Sequence, residues 1–413
     1  MHDALAGLRH PERSFAVVHV AGTNGKGSVS AMLASILRCH GLRVGLYTSP
    51  HLCRFNERIQ IDGEPLGDEA LADALDRSTA AGLERPTVFE ALTLAAFVSF
   101  ERAEVDVAVL EVGLGGRLDA TNVIESPLAC AVTSIGLDHV RLLGPDQASI
   151  AREKAAIAKR GAPMIVGPLT ADAANSAAEV FAARGASPVV WVCDRDDTPR
   201  PPAASTARLT IDDRGATVKL LDARELTLAP ALPGRHQLVN AAVAATTAWQ
   251  LRVSYPRLER AIERGVREVR WPGRLETLDV GGVRVLLDCA HNAEGAAALA
   301  EYLDREGAQP MTLVFGALDD KAWRPMLDRL GPLASRRHYA PPLEAVAGRR
   351  AVDGSALQAA WPGEAHKDLD TALDAALSNA TRGDLVLVTG SIFLVGAARA
   401  LLLGLTRHPP VPL

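Results

Sequence analysis

One recurring pattern restricts the folds that this chain can adopt. Short runs rich in β-branched residues are followed by a glycine-containing turn and then by an Ala- and Leu-rich stretch with helical spacing. This alternation is typical of βαβ units, whose strands form a parallel sheet covered by helices. The pattern predicts an α/β protein with a mostly parallel sheet. Strands are expected at residues 15–20, 43–49, 105–113, 128–135, 163–167 and 188–193, and helices at 27–40, 68–81 and 87–102.

The sequence changes character after the first series of strands, which indicates a second domain. A proline-rich loop at 194–205 precedes a predicted small hairpin and an Ala-rich helix at 237–253. A second βα series follows, with strands expected at 283–292, 311–318 and 384–391. The Pro-Gly pair in "RWPGR" (270–274) interrupts the helical spacing between the two series. We therefore expect a larger N-terminal domain at residues 1–270 and a smaller C-terminal domain at 271–413.

The composition is that of an ordinary globular protein. The 413 residues are 48% hydrophobic and 23% charged, enough to bury a sizeable core. The net charge of −5 argues against nucleic acid or an anionic membrane as the main partner. Five scattered cysteines without CxxC spacing disfavour a disulfide framework and favour a reducing cytoplasm. The first residues lack the apolar segment of a signal peptide, and without an obvious interaction segment a monomer is expected.

The most apolar tract, residues 385–405, is interrupted by several polar residues and glycines. A membrane-spanning helix needs about 20 consecutive apolar residues. The tract is therefore predicted to form a buried strand, a turn and a helix.

The stretch "AGTNGKGS" (21–28) lies where a predicted strand turns into a helix. Backbone N–H groups and the positive helix end can surround an anion there, and Lys26 would neutralise the β- and γ-phosphates of a nucleotide. The spacing departs from GxxxxGK[ST], because Val20 replaces the first glycine and Gly27 separates the lysine from Ser28. Ser28 still offers a hydroxyl to Mg²⁺. The alternative is a glycine-rich turn with a solvated lysine.

Two other strand ends carry polar residues. "EVGLGGRLDATN" (111–122) places Glu111 at the carboxyl edge of the sheet, where ligands bind in open α/β folds, and an oxygen ligand suits Mg²⁺. "TSIGLDH" (133–139) places Asp138 and His139 at another strand end. We expect these groups and the glycine-rich loop to face one crevice. Taken alone, Glu111 is as consistent with a turn cap, a single histidine is usually structural, and Lys154 resembles any helix-surface lysine.

Further polar residues flank the predicted domain boundary. Asn240 lies near the start of a helix, and Arg274, Asp288 and His291 follow the boundary. A nucleotide held between two domains needs a basic group for its phosphates and an acid for its ribose hydroxyls. Helix capping accounts for part of the polar group around Asn240.

Nine motifs together resemble the folylpolyglutamate synthase and dihydrofolate synthase family, relatives of the Mur ligases. One such motif alone would be weak, whereas nine in register are highly specific. Two departures are the text "VRLLG" after His139, where members commonly have a polar residue and a tryptophan, and Ala293, which replaces a common proline. The motifs run in order from about residue 15 to residue 395: "GTNGKGS", "TSPHLCRFNERI", "TVFEALTLAAF", "EVGLGGRLDATN", "TSIGLDH", "REKAAI", "HQLVNAA", "WPGRLE" and "DCAHN".

The resemblance implies a P-loop ATPase domain with a smaller Rossmann-like C-terminal domain. It implies catalytic roles for Lys26, His139 and Lys154, with Lys154 carbamylated. Two Mg²⁺ ions would be held, the first by Ser28 and Glu111 and the second by Glu111 and His139. The pterin side of the substrate would contact Thr48, Ser49, Pro50, His51, Arg54 and Phe89. ATP would contact Gly22, Thr23, Asn24, Gly25, Lys26, Gly27, Ser28, Asn240, Arg274, Asp288 and His291.

The implied activity is an ATP-dependent ligation of L-glutamate to a carboxylate. ATP would convert the carboxylate to an acyl phosphate, which the amine of glutamate then attacks. The acyl donor would be dihydropteroate, giving dihydrofolate, or the terminal glutamate of a reduced folate, giving a folylpolyglutamate. Two alternatives stay open: a Mur-like ligase that acts on another carboxylate, such as a UDP-sugar peptide, and a nucleotide-binding protein without catalysis.

Overall fold

A computed structural model describes residues 1–82, 85–194, 199, 205–212, 215–307, 311–342 and 349–408 of the chain. These residues form one sheet of eleven strands and a second sheet of six. In chain order, strands β1 to β11 of the larger sheet are Ala16–Ala21, Val44–Tyr47, Ile59–Ile61, Glu64–Pro65, Val107–Glu111, Ala129–Val132, Met164–Val166, Val189–Cys193, Ser205–Asp212, Gly215–Lys219 and Glu225–Leu228.

The larger sheet is mostly parallel. Its strand order is β11-β10-β9-β8-β7-β6-β1-β5-β2-β3-β4. Every neighbouring pair from β9 to β2 in that order is parallel. Antiparallel strands extend both edges, with β10 and β11 on one side and β3 and β4 on the other. The parallel part requires crossover connections, and helices lie in those from β1 to β2, β2 to β5, β6 to β7 and β7 to β8.

Helices cover both faces of this sheet. Alternate residues of β1 belong to different cores: Val18 and Val20 face one side, and Val17 faces the other. A strand that is buried on both faces reads as a continuous apolar run, which explains the "FAVVHV" text. Helices α1 to α9 are His2–Gly7, Lys26–His40, Asp68–Ala80, Val88–Arg102, Val140–Leu143, Gln147–Ala155, Ala171–Arg184, Arg235–Leu251 and Glu259–Glu268.

The second sheet belongs to the C-terminal part of the chain. Strands β12 to β17 are Glu276–Val280, Val283–Leu287, Met311–Phe315, Arg336–Tyr339, Glu364–Ala365 and Leu385–Thr389. Their order is β12-β13-β17-β14-β15-β16, and all neighbouring pairs are parallel except β12 with β13. Helices α10 to α14 are Ala293–Glu306, Trp323–Leu330, Gly354–Ala360, Leu369–Ser378 and Ile392–Leu403.

The order of the central strands places three loops next to one another. Strand β1 lies between β5 and β6, and both pairs are parallel. In the register, Val20 pairs with Glu111 and Ala21 pairs with Val132. The loops that leave β1, β5 and β6 therefore start side by side at the carboxyl edge of the sheet, where α/β proteins bind ligands.

The predicted α/β fold class, with a mostly parallel sheet and a second smaller sheet, is confirmed. Several strands end earlier than expected, because the residues after positions 111, 132 and 287 leave the sheet and form loops. The short strands β3, β4, β12, β15 and β16, which lie at or next to the sheet edges, were not predicted, since two to five residues give little periodicity. Most of the predicted loop at 194–205 lies outside the described residues.

The predicted domain boundary near 270 falls between α9, which ends at Glu268, and β12, which begins at Glu276. The apolar tract 385–405 forms β17, a turn and α14, as predicted. No helix in the described ranges combines the length and apolarity that crossing a membrane requires.

We expect Gly265→Ala to destabilise the N-terminal domain. Gly265 lies on α9 against α2, and an added Cβ would sit 2.4 Å from Cα and 2.6 Å from the N atom of Ile36. Alanine gains about 1 kcal/mol of helix propensity, but a backbone neighbour cannot rotate away, and overpacking costs about 1–3 kcal/mol or more. The free energy of unfolding, measured by urea denaturation, should fall by about 1–2 kcal/mol.

The matched control is Gly67→Ala at the N-cap of α3. Gly67 has φ of −64°, and an added Cβ there meets no atom within 4 Å. Its effect should stay below about 1 kcal/mol, the usual scale of an N-cap change. Equal stability losses in the two variants would contradict the close α2–α9 packing.

Candidate functional site

The loop between β1 and α2 has the geometry of a phosphate-binding loop. Gly25 adopts φ of +84°, in the left-handed region, and α2 begins at the next residue, Lys26. The first backbone N–H groups of a helix have no partner within it, and the helix dipole adds positive potential at the same end. Nζ of Lys26 donates to the carbonyl of Thr23 at 3.2 Å. The loop therefore offers a cation and several N–H donors to an anion.

The segment that follows β6 holds this loop in place. The N–H of Thr23 donates to the carbonyl of Ser134 at 2.7 Å, and the N–H of Asn24 donates to Oγ of Ser134 at 3.0 Å. Oγ1 of Thr133 donates to the carbonyl of Asn24 at 2.6 Å, and the N–H of Gly136 donates to Oγ1 of Thr23 at 2.9 Å. Each bond contributes only about 1 kcal/mol, but together they fix the backbone before any ligand binds.

Two glycines of the loop are required by close contacts. A Cβ at Gly25 would lie 2.3 Å from Oδ1 of Asn240, and a Cβ at Gly27 would lie 3.0 Å from Nε1 of Trp271. Residues from α8 and from the start of the C-terminal part thus pack directly against the loop. The glycine that departs from the usual phosphate-loop spacing is therefore explained by a tertiary contact with Trp271.

Glu111 is a buried carboxylate at the end of β5. It is only 4% exposed, and its Oε2 accepts a long hydrogen bond from the N–H of Ser49 at 3.3 Å. Burial raises the pKa of Glu111 to about 7, against the opposing effect of Lys26. A buried carboxylate whose negative charge is so weakly stabilised by neighbouring groups is suited to bind a cation.

Lys154 is a buried lysine, contrary to the surface position that its helical context alone suggests. It lies on α6, is 5% exposed, and donates from Nζ to the carbonyl of Gly22 at 2.9 Å. Burial, reinforced by the positive charge of Lys26, lowers the pKa of Lys154 to about 7. A large fraction of this amine is therefore neutral near physiological pH.

A cluster of charged groups joins the two parts of the chain beside His139. Asp138 Oδ1 lies 2.5 Å from Nζ of Lys321, and Asp138 Oδ2 lies 3.5 Å from Nε2 of His291. Burial opposes ionisation of Asp138, but His291 and Lys321 outweigh it and lower its pKa. Burial and the nearby Lys321 lower the pKa of His139 to about 4, so its imidazole is neutral at physiological pH.

Polar contacts tie the phosphate loop to α10. Nδ2 of Asn24 donates to Oε2 of Glu294 at 3.0 Å, and Nδ2 of Asn292 donates to Oδ1 of Asn24 at 2.8 Å. Asp288, at the end of β13, accepts from the N–H groups of Leu275 and Ala290 at 3.0 and 2.9 Å. The carboxyl end of β13 in the second sheet therefore faces the same region as the phosphate loop.

The segment after β2 forms another wall of the site. The carboxylate of Glu57 accepts from the N–H groups of Leu52 and Arg54 at 2.8 and 2.9 Å. Nε of the buried Arg58 donates to Nδ1 of His51 at 3.0 Å, and burial together with Arg58 lowers the pKa of His51 to about 3. This segment also touches α14, because a Cβ at Gly396 would lie 2.0 Å from the carbonyl oxygen of Leu52.

These elements enclose one cavity of about 740 Å³ between the two sheets. Three predicted site residues do not line it. Gly22 contributes its carbonyl to Lys154, Arg54 pairs with Asp68, and Phe89 packs against Tyr47 with ring centroids 5.8 Å apart. The predicted residues that line the cavity are Thr23, Asn24, Gly25, Lys26, Gly27, Ser28, Thr48, Ser49, Pro50, His51, Glu111, His139, Lys154, Asn240, Arg274, Asp288 and His291.

Sequence reasoning did not assign many of the other residues that line the cavity, among them Ser134, Trp271, Glu294 and Lys321. Ser134 lies in the motif "TSIGLDH" and Trp271 in "WPGRLE", so their positions in these motifs could have indicated a role in the site. Lys321 is an ordinary lysine in sequence, and only the packing of the two sheets brings it to Asp138.

Two family models match this chain and indicate its class of protein. Residues 20–248 match the Mur ligase middle domain, and residues 273–392 match the Mur ligase glutamate ligase domain. The two matches fall on the two sheets described above. With the phosphate loop and the cavity between the sheets, they define an ATP-dependent ligase of the Mur type.

Individual relatives are more specific. Folylpolyglutamate synthase of Lacticaseibacillus casei is 37% identical over 97% of this chain and 93% of that protein. The structure of Escherichia coli FolC in complex with DHPP and ADP is 32% identical, with a TM-score of 0.85 over 97% of this chain and 92% of that chain. A bifunctional folylpolyglutamate synthase/dihydrofolate synthase with Mn, AMPPNP and L-glutamate bound is 33% identical, with a TM-score of 0.83 over 97% and 92% of the two chains.

The chain therefore belongs to the folylpolyglutamate synthase/dihydrofolate synthase family of ATP-dependent ligases. This confirms the resemblance that the nine motifs indicated.

We expect Gly25→Ala to weaken ADP binding at least about tenfold, a loss of about 1.4 kcal/mol. The new Cβ would meet Oδ1 of Asn240 at 2.3 Å, so the loop would have to change shape. Isothermal titration calorimetry measures the affinity. Gly41→Ala is the matched control, because Gly41 has φ of +98° at the end of α2 and no atom within 4 Å of the added Cβ. Both variants should lose stability, and equal ADP affinity in both would contradict the loop assignment.

Proposed function

We propose that this chain ligates L-glutamate to dihydropteroate, forming dihydrofolate, and to the terminal glutamate of reduced folates, forming folylpolyglutamates. The observation that carries the proposal is the single cavity in which the phosphate loop, Glu111 and Lys154 meet Asp288 and His291 of the C-terminal part. The names of the relatives support the same acceptors, and their bound ligands include ADP, DHPP and L-glutamate.

In this proposal ATP lies across the two sheets. The N–H groups of residues 22–28 and Nζ of Lys26 hold its phosphates, while Asn240, Arg274, Asp288 and His291 contact the rest of the nucleotide. Asp288 is buried, and burial raises its pKa. Its oxygens nevertheless accept two backbone N–H bonds, which fixes the carboxylate at the strand end for contact with ribose hydroxyls.

The donor set fits divalent metal ions. Ser28 and Glu111 are buried oxygen donors that line the cavity with the phosphate loop, and oxygen ligands are those that Mg²⁺ prefers. The neutral imidazole of His139 can also act as a ligand. We infer that Ser28 and Glu111 hold one Mg²⁺, and that Glu111 and His139 hold a second. Bound Mg²⁺ would neutralise charge on the phosphates and on the transferring phosphoryl group.

The reaction then follows in two steps. A carboxylate oxygen of the acceptor attacks the γ-phosphorus of ATP, an acyl phosphate forms and ADP leaves, with Lys26 compensating charge on the phosphoryl oxygens. The amine of L-glutamate next attacks the acyl carbon, the tetrahedral intermediate expels phosphate, and a proton is released as the amide forms.

The walls of the cavity suit the remaining tasks. Lys321 and Arg349 line it on the C-terminal side, where cations can attract the carboxylates of L-glutamate. The segment with Thr48, Ser49, Pro50 and His51 forms the wall proposed for the pterin side. This segment also contacts α14, which supports a binding position for both substrates between the sheets, where the acyl phosphate would be kept from water.

We also infer that the chain acts as a monomer in the cytoplasm. The five scattered cysteines, without CxxC spacing, support a reducing compartment.

The decisive assay supplies ATP, Mg²⁺ and L-glutamate with either dihydropteroate or tetrahydrofolate. We expect phosphate release with each acceptor, and mass spectrometry should show one added glutamate on dihydropteroate and one or more on the folate. Lys26→Ala should lower kcat at least about 10²-fold, because the positive charge that compensates the phosphoryl oxygens is lost. Lys219→Ala, at an exposed position on β10, is the matched control and should keep full activity.

Two outcomes would reject the proposal. Phosphate release no higher than background with both acceptors would exclude the proposed substrates, and binding of a UDP-linked substrate in their place would favour a Mur-like acceptor. Full activity of Lys26→Ala would exclude the phosphate-loop role.

Lys154 is proposed to be carbamylated, since a buried neutral amine can react with CO₂ to give a carbamate and a proton. The pKa of about 7 predicts the pH dependence, because the reactive neutral form increases as pH rises through 7. With ¹³C-labelled bicarbonate, NMR should show one carbamate signal that grows from pH 6 to pH 8 at constant CO₂. The signal should vanish in Lys154→Gln and persist in Lys159→Gln. A parent protein without the signal would contradict the modification.

A further inference from the structure

Three side chains at the far edge of the C-terminal sheet converge without any role in the proposed ligation. Nδ1 of His338 lies 3.0 Å from Nε2 of His366. Oε2 of Glu364 lies 3.8 Å from Nδ1 of His338 and 3.9 Å from Nε2 of His366. None of the three is among the described residues that line the interdomain cavity.

The backbone explains why these side chains meet. Strands β15 and β16 are parallel neighbours, with His338 in register with Glu364, so both side chains leave the same face of the sheet. His366 is two residues beyond Glu364 and therefore returns to that face. The N–H of His366 donates to the carbonyl of Tyr339 at 2.8 Å, which keeps it beside β15 although β16 itself ends at Ala365.

We propose that His338, Glu364 and His366 bind one divalent transition-metal ion, such as Zn²⁺. The ion would link the edge strand β16 to β15 in the C-terminal sheet. Two histidines and one carboxylate with an open position for water form a recurrent zinc ligand set. Imidazole nitrogen suits Zn²⁺, Co²⁺ and Ni²⁺, whereas Mg²⁺ prefers oxygen. The chemistry of this site therefore differs from that of the oxygen-rich catalytic cavity.

The distances fit such an ion. Two nitrogens at about 2.05 Å from a tetrahedral ion lie about 3.3 Å apart, and the two histidine nitrogens are separated by 3.0 Å. The side chain of Glu364 is 71% exposed, so its carboxylate can move the few tenths of an ångström that bring it to the same ion. The buried His338 supplies a fixed ligand, and the exposed Glu364 leaves a path from solvent.

A hydrogen bond between two neutral imidazoles would also give the 3.0 Å contact, but it uses only two of the three groups. It leaves the carboxylate of Glu364 3.8 Å or more from both rings. The convergence of all three groups is what favours a metal ion.

The test uses the full chain, stripped of metal with a chelator and then supplied with excess Mg²⁺ and ADP to fill the catalytic cavity. Added Co²⁺ should bind at one ion per chain, with the strong visible absorption of a four-coordinate nitrogen and oxygen site, and Zn²⁺ should displace it. Zn²⁺ should also raise the Tm of the parent protein.

Variants locate the ion. His366→Ala and Glu364→Gln should each weaken Co²⁺ binding at least about tenfold, and the Zn²⁺-dependent rise in Tm should vanish in His366→Ala. Both positions are at the edge strand, and circular dichroism verifies their folding. The matched controls are His139→Ala in the catalytic cavity and His40→Ala at the surface end of α2, and neither should change the Co²⁺ absorption. Absence of Co²⁺ binding by the parent, or unchanged affinity in His366→Ala, would overturn the proposal. This site is independent of the proposed ligation, which the substrate assay tests separately.

Discussion

The hydrogen bonding of the phosphate loop to the loop after β6 supports the rest of the catalytic site. Because β1 and β6 are parallel neighbours, Thr23 and Asn24 lie within reach of Thr133, Ser134 and Gly136. These bonds fix the loop backbone. Its Gly22 carbonyl accepts from Lys154, and α2 starts at its end. If β1 and β6 were not neighbours, the glycine-rich loop would lack the hydrogen bonds that hold its backbone in a phosphate-binding conformation.

Burial at this edge makes the charged groups of the site responsive to a ligand. Glu111 and Lys154 are of opposite charge type, yet burial moves the pKa of each to about 7. Neither ionised form is well stabilised by the protein alone. Phosphates, a divalent ion or a modified lysine would each supply an opposite charge, and the low-dielectric surroundings that disfavour an isolated ionised group would strengthen these interactions.

The contacts between the two sheets are polar beside the phosphate loop and closely packed where α14 meets the segment after β2. Asn24 with Glu294 and Asp138 with Lys321 cross between the sheets beside the phosphate loop. At the segment after β2, Gly396 allows α14 to touch the backbone of Leu52. The cavity is thus enclosed by surfaces that neither sheet has alone. The histidine pair of β15 and its neighbour lies away from this region, which is why its chemistry can be tested separately.

The amino-acid sequence by itself determined the alternation of strands and helices, the central apolar strands and the motifs that identify the family, because these depend on local periodicity and on residue type at short spacing. It also located a group of polar cavity-lining residues, since polar residues that follow a buried strand must lie at the edge of the sheet. Only the tertiary structure decided that Lys154 is buried, that Gly27 faces Trp271, that Lys321 reaches Asp138, and that Arg54 and Phe89 lie outside the cavity. Those facts depend on contacts between residues far apart in the chain, and the composition or spacing of a short segment contains no information about such contacts.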